Sequence, residues 1–434
     1  MKLPHFLSDP ISGVARATAP VADGDTVPTD AGSILSIALD VGAEILRTGG
    51  EIHRVEDTVT RICYAYGAEA VEVFAITSLI IADVRMPDGS YATHNRRVSG
   101  TYNHLSRLEA LNALSRKICE SPISASEVTA RLADIRRYRP LPAWLCYVGG
   151  ILATSGFTLF FGGSWKDALA SGVIGLLLTL FSRLLPLRIN NLVKSLISSL
   201  GAGLLSVLFV SMGLGDSIQM IIIGTIMLEI PGVAFGISLR DLLGGDTLAG
   251  TMRSIQAIIQ ALMVALGYLA ALVLLKQQIA EPVDVAVHPL IVLLTAALGT
   301  VGFAIIYYVH PRHLVFATLG GILTCTIYLL SKNLVGGELL PNLLGAMAGA
   351  IFCEVFARLT KTPVPVYMLP AIIPLIPGGT LYRTMFYFAA GSYAEAASLG
   401  ITTLQAALGI AGGIVIASVI GLFFRPRKPV RKEN

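Results

Sequence analysis

Charge is what this sequence has little of. Of its 434 residues only 14% are Asp, Glu, Lys or Arg, whereas 54% are hydrophobic and the mean hydropathy is +0.71. A soluble globular domain carries about a quarter of its residues as charges, so this composition excludes one and indicates a polytopic α-helical membrane protein. The formal net charge of +4 is modest and its basic residues fall in loops and tails, so no nucleic-acid groove is expected. The five cysteines, Cys63, Cys119, Cys146, Cys325 and Cys353, are scattered without a C-x-x-C pair, which points to neither a disulfide framework nor a zinc site. There is no Walker loop, His-Glu-x-x-His helix or nucleophile elbow, so ATP-driven transport by this chain alone and hydrolytic chemistry are not expected. No cofactor is expected either. The stretch GLGD at 213–216 matches the short pattern of intramembrane aspartyl proteases, but those need a second aspartate in an adjacent span. Asp167 is expected in an outer loop and Asp216 in a short outer turn, so the protease remains a remote alternative.

What is there is unevenly arranged. Residues 1–32 read as a disordered, uncleaved leader with no apolar stretch of signal-peptide length. Residues 33–140 read as a small soluble α+β domain: helices over 33–48 and from Glu51 to Gly67, an alternating run at Val71, Val73 and Ala75, two strands turning at Pro87-Asp88-Gly89, then helices near 102–119 and 126–137. From 144 onward, apolar segments recur near 144–162, 167–185, 192–213, 217–238, 254–275, 289–309, 313–331, 339–358, 366–385 and 401–424, each near the ~20 residues a crossing needs. These are ten expected spans. If the soluble domain is inside, inner loops hold Arg183, Arg188, Lys194, Arg240, Arg253, Arg312, Arg358 and Lys361, and outer loops only Lys166, Lys276, Lys332 and Arg383. The positive-inside rule then puts both termini in the cytoplasm; the expected location is a bacterial cytoplasmic membrane.

The spans also repeat. Gly156-Phe157, Gly175, Ala202-Gly203 and Ile230-Pro231-Gly232 recur 146 residues later as Gly302-Phe303, Gly321, Ala348-Gly349 and Ile376-Pro377-Gly378. The expected units are repeat 1 at 141–276, an outer linker at 277–288, repeat 2 at 289–424 and a basic tail at 425–434. Five spans per repeat make the copies inverted, an architecture of secondary transporters. Proline removes a backbone donor and glycine tolerates unwound geometry, so Pro231-Gly232 and Pro377-Gly378-Gly379 are expected to break their helices within the membrane and line a substrate path. A simple kink is the bland alternative. Glu229, whose repeat-mate is Leu375, is an acid in an apolar span and a candidate to carry a proton or meet a substrate amine; a structural, hydrogen-bonded Glu is the other reading. Glu354 is a second candidate that Arg358, one turn away, can pair with.

Two charged clusters remain. Arg240, Asp241 and Asp246 lie among glycines after the first break and suit an inner gate. His53, Glu56 and Asp57 share a helical face at a spacing that can bind metal, but Arg54 and Arg61 flank them, so an ion-paired face is expected and no metal. The soluble domain is expected to act against the inner loops, with Arg96 and Arg97 as contacts.

The Pro-Gly span followed by Arg-Asp, Gly-Asp and a further Gly resembles the threonine/serine exporter family. GGEIHRVEDTVTRICYAYG and NHLSRLEALNAL look like that family's soluble N-terminal domain, and the resemblance covers about residues 33 to 425. It implies the fused form of an exporter that drives threonine and serine out of the cytoplasm with the proton-motive force, with protons and lipid as partners. Split two-chain relatives of the family are linked to dicarboxylate export, so succinate is an alternative substrate. A passive channel would share the spans without coupling, and a homo-oligomer is compatible with them.

The charge asymmetry generates a topological prediction. Single cysteines at Gly215 and Val285, in a cysteine-free background, should react with an impermeant thiol reagent in intact cells, and one at Gly244 should not. Labelling at 244 from outside would overturn the inverted arrangement.

Overall fold

The structure is a computed structural model that describes residues 27–184, 190–277 and 287–423. Residues 1–26 of the expected leader, most of the expected linker and the whole basic tail lie outside the described residues, as does Arg188.

The N-terminal domain follows its local signals. Helix α1 (Ala31–Arg47) begins where the Asp30 carboxylate accepts the Ser33 amide at 2.8 Å, an N-cap, and stops before Gly49, whose φ of +92° suits glycine. Helix α2 is Ile52–Ala65. Strands β1 (Ala70–Ile76), β2 (Leu79–Arg85) and β3 (Tyr91–Arg97) form an antiparallel meander with Ala70 opposite Arg85 and Leu79 opposite Arg97. Alternation on β2 turns Ile80, Ala82 and Val84 into the core beside α1. Helices α3 (Leu105–Glu120) and α4 (Ala125–Arg137) complete the unit, α4 opening with Ser124 Oγ accepting the Glu127 amide at 3.3 Å.

The remainder is helical: α5 (Leu145–Phe160), α6 (Trp165–Leu184), α7 (Asn191–Ser211), α8 (Ile218–Glu229), α9 (Gly232–Gly244), α10 (Thr247–Leu274), α11 (Pro289–Ile306), α12 (Pro311–Val335), α13 (Leu339–Thr360), α14 (Pro365–Ile372), a 3-10 turn (Ile373–Leu375), α15 (Gly378–Ala389) and α16 (Tyr393–Phe423). Seven of these, α6, α7, α10, α11, α12, α13 and α16, are long and apolar enough to cross a membrane. Two bent pairs, α8 with α9 and α14 with α15, pass the same test together, and α5 is a shorter apolar helix. The ten apolar segments of the sequence thus fall on these elements. Helices α10 and α16 begin at Thr247 and Tyr393 rather than at the apolar windows from 254 and 401, because a helix continues through polar turns that a hydropathy window rejects.

Helices α5 and α11 pack antiparallel through their glycines. A Cβ on Gly156 would lie 2.9 Å from the Gly299 nitrogen and 3.2 Å from the Thr295 carbonyl. A Cβ on Gly302 would lie 2.5 Å from the Ala153 nitrogen and 2.8 Å from the Gly149 carbonyl. Gly302, Gly299 and Thr295 are the positions 146 residues beyond Gly156, Ala153 and Gly149, so each contact is matched by its mate across the crossing. Reciprocal contacts of this kind are what a two-fold relation between the copies would produce. Close backbone approach through small residues is what membrane helices use when apolar side chains gain nothing over lipid.

Gly302→Val should therefore push α5 from α11, costing about 1–3 kcal/mol as overpacking and lowering the melting temperature and monodisperse yield in detergent. Gly201→Val, where nothing lies within 4 Å, should change neither. Equal behaviour of the two variants would refute the crossing.

Candidate functional site

Both Ile-Pro-Gly motifs break their helices in the same way. At the first, Ile230 is extended (φ −75°, ψ 133°), Pro231 stands at φ −80°, ψ 43°, and α9 restarts at Gly232. At the second, Ile376 (φ −59°, ψ 123°) and Pro377 (φ −75°, ψ 49°) lead into α15 at Gly378. The bends are 53° and 56°. Twelve residues of α8 reach only about 18 Å, short of the ~30 Å of a bilayer's hydrocarbon core. The two breaks also touch: a Cβ on Gly232 would strike Ile376 Cγ2, and one on Gly378 would meet Ile230 Cγ2 at 3.1 Å. These contacts again exchange under the 146-residue offset. Gly379 faces Phe161 and Ile223 across an ordinary contact distance.

Glu229 sits at this junction, half-buried, as the last residue of α8. Ser198 Oγ on α7 donates to its Oε2 at 2.6 Å, and Gln260 Nε2 on α10 donates to its backbone carbonyl at 3.2 Å. The same Ser198 hydroxyl lies 2.9 Å from the Lys194 carbonyl. Nearby, Thr225 and Tyr268 share a hydrogen bond at 3.0 Å in full burial, and Tyr268 meets Tyr382 of α15 edge to face.

The charged candidates are brought together elsewhere, where α2 of the N-terminal domain covers the ends of the membrane helices. A cavity of about 570 Å³ lies there, between Glu51 and the α2 residues His53, Arg54, Asp57 and Arg61 on one side and the membrane residues Asp241, Asp246 and Glu354 on the other. Glu229 and the breaks are not among its lining residues. Asp241, on α9 rather than in a loop, pairs with Arg253 at 2.8 Å. Glu354 pairs with Arg358 at 2.8 Å, as the sequence suggested, and its carboxylate packs where any side chain on Gly421 would stand. The side chain of Arg240 lies outside the described residues. Glu56 turns away to accept the Ala75 amide at 2.9 Å, and Asp57 pairs with Arg61 at 2.7 Å. Burial pushes the Glu56 carboxyl up against the pull of that amide, and the negative charge of Asp246 adds to the rise. No group of three metal-ligating side chains converges among the described residues.

The expected contact through Arg96 and Arg97 is corrected by the structure. Arg96 is held inside its own domain by Asp40 at 2.7 Å and Ser36 at 3.3 Å, and Arg97 is exposed. Helix α3 makes the contact instead, because its start runs against the α11–α12 turn: the Leu105 and Ser106 amides donate to the Tyr307 and Tyr308 carbonyls at 2.9 and 3.2 Å. Glu109 then accepts from Arg312 at 2.6 Å and meets His313 Nε2 at 3.1 Å, while His313 Nδ1 bonds Tyr367 of α14. Burial pushes the Glu109 carboxyl up, but His313 and Arg312 outweigh it and hold it below the ordinary carboxylate range. His104 stacks on Tyr308 at 4.4 Å, and burial together with Arg107 pushes its pKa down to about 3. Sequence reading missed Glu109, Arg312, His313, Ser198 and Gln260 as site residues; an acid within the apolar periodicity of LSRLEALNAL was the available signal.

Asp167 is corrected as well. It lies buried in the first turn of α6, where its carboxylate accepts the Asp216, Ser217 and Ser164 amides at 2.7, 2.9 and 3.0 Å. Asp216 pairs with Lys166 at 3.1 Å. A carboxylate saturated by backbone donors ties two turns together and is not poised to activate water.

A family model described as "Putative threonine/serine exporter" matches residues 36–275, and a second, "Threonine/Serine exporter, ThrE", matches residues 292–420. The chain is 23% identical over 413 residues to a Mycobacterium tuberculosis protein named "Probable threonine/serine exporter", across 89% of this chain and 76% of that relative. It is 25% identical over 291 residues to an uncharacterized protein of Schizosaccharomyces pombe, across 63% of this chain and 35% of that relative, so it spans about a third of the yeast protein's length. No solved structure matches it. The first match alone covers more than half the chain and runs from the N-terminal domain through the first Pro-Gly break, and the second takes in the other break: the chain belongs to the threonine/serine exporter family, whose members are transporters and not enzymes.

Proposed function

We propose that this protein exports threonine, serine or a related small amino acid from the cytoplasm by proton antiport, with substrate and proton exchanged around the meeting point of its two broken spans. The observation that carries the proposal is the reciprocal contact of Gly232 with Ile376 and of Gly378 with Ile230. The two halves are read as inverted copies related by a pseudo-two-fold axis, which the antiparallel, mate-for-mate crossing of α5 and α11 supports. Rocking of such copies about a fixed centre exposes it to each side in turn. The first-turn amides of α9 and α15 have no acceptor within their own helices, and their dipoles point positive ends at the junction, where a substrate carboxylate would be held.

Glu229 is the proposed proton carrier. Ionised, it accepts from Ser198. Protonated, it can donate to the same oxygen while Ser198 turns its hydrogen to the Lys194 carbonyl, so the site satisfies both states without moving a helix. The proposed setting is a bacterial cytoplasmic membrane, with both termini and the N-terminal domain in the cytoplasm on the strength of the loop charges.

The test is efflux of labelled threonine from proteoliposomes, with and without an imposed proton gradient. The wild type should show saturable, gradient-stimulated efflux; flux that never saturates and ignores the gradient would mean a channel. Glu229→Gln keeps shape and hydrogen bonding but cannot ionise, so driven efflux should fall to the rate without a gradient while exchange persists. Intact driven export in that variant would leave Glu229 a structural acid. Pro231→Ala and Pro377→Ala should let each ladder close and slow transport with normal insertion; native rates in both would make the breaks mere kinks.

A further inference from the structure

We propose that the N-terminal domain supplies half of a loading site for zwitterionic amino acids: Arg54 of α2 takes the substrate carboxylate and Asp246, across the seam at the start of α10, takes its ammonium. This rests on the export reading above and adds a site before the central one.

The cavity under α2, about 570 Å³, lies within the ~300–1,000 Å³ of small-molecule sites. Most of its charges are already spoken for. Asp57 is held by Arg61, Asp241 by Arg253 and Glu354 by Arg358. Among the lining charges outside these pairs, Arg54 and Asp246 are opposite in sign and lie on facing domains. Among the described residues, Arg54 Nε is buried and meets no hydrogen-bond acceptor, as is also true of Arg47 Nε and Arg96 Nε, but those two arginines are held through another guanidinium nitrogen and Arg54 is not. Arg54 also lines a second cavity of about 470 Å³, which shares Glu354 and Val364 with the first. Asp246 is the N-cap of α10, yet its carboxylate does not cap that helix and accepts no hydrogen bond among the described residues.

One cation and one anion, on facing domains and lining one cavity, match a ligand that carries both signs. A guanidinium binds a carboxylate through a planar fork, and a carboxylate accepts an ammonium through charge-assisted bonds. A dicarboxylate fits less well, since the lining holds five acids, Glu51, Asp57, Asp241, Asp246 and Glu354, against two arginines and His53. The location suits loading. Helix α9 leads from the Gly232 break to Asp241 at the cavity, and Met368 of α14, the first half of the other broken span, lines it too. A substrate held here is at the mouth of both broken spans.

The experiment measures binding of tritiated threonine to the purified full-length protein, with threonine amide and N-acetylthreonine as competitors. The wild type should bind threonine saturably and both analogues poorly, because each lacks one charge. Arg54→Gln should raise the threonine half-saturation about ten-fold or more, the loss of a charge-assisted contact, and bring the amide level with threonine. Asp246→Asn should do the same for N-acetylthreonine. Arg54→Lys, which keeps the charge without the fork, should retain discrimination against the amide, so a folding defect at position 54 is told apart from a lost contact. In proteoliposomes both neutral variants should raise the half-saturation for efflux while keeping stimulation by the gradient. Wild-type affinity and selectivity in Arg54→Gln and Asp246→Asn, with driven efflux intact, would overturn the loading site and leave the export reading standing. Absence of driven threonine efflux in the wild type would remove the export reading, and the loading site with it.

Discussion

A backbone break inside an apolar layer has to be covered, and much of this fold is arranged around covering two of them. Proline at 231 and 377 removes a donor and displaces a carbonyl, and no lipid can replace either. The solution is to press the breaks together, glycine against isoleucine in both directions, and to supply polar side chains from neighbouring helices. Gln260 reaches the Glu229 carbonyl and Ser198 reaches its carboxylate. The first break therefore holds an acid with two polar neighbours, while Leu375 stands at the corresponding place in the second. Sequence symmetry is broken at the residue where the proposed chemistry needs one proton.

The same reciprocal geometry recurs at the α5–α11 crossing, which fixes how the two sets of helices face each other. Backbones approach there within the reach of a single added carbon, so the crossing angle and register have little freedom. Rigid packing at one crossing and opened backbone at another is the division that the proposed rocking motion requires.

The N-terminal domain is built into this arrangement rather than tethered beside it. Its core is continuous with membrane-domain residues Ala249, Ala304, Val309, Val366 and Leu369. Glu109 enters that contact almost fully buried with Arg312 and His313 as partners. A buried carboxylate stripped of its partners is strongly unfavourable, so this cluster fixes the seat of the domain and, through Tyr367, joins it to the first half of the second broken span. The seat in turn places α2 over the mouths of both broken spans.

Local pattern was enough for a large part of this. Hydropathy marked ten apolar segments, alternation at Val71, Val73 and Ala75 marked the first strand, Pro87-Asp88-Gly89 marked the turn between the next two, and the constant offset of 146 residues with its shared Ile-Pro-Gly marked the pair of breaks. Each of these is carried by residues close in sequence, or by a repeat that sequence displays directly. The partners were not legible in this way. That Glu229 meets Ser198 and Gln260, that Glu109 rather than Arg96 or Arg97 binds the α11–α12 side, and that Asp167 is saturated by three amides are facts of long-range packing. Hydropathy and spacing are blind to which faces of two distant helices meet, because a side chain's partner depends on helix rotation and register set by the whole assembly. The sequence by itself determined where the chain crosses, breaks and repeats; only the tertiary structure decided which polar groups the breaks and the domain seam bring together, because burial makes each such group find a partner and packing chooses which.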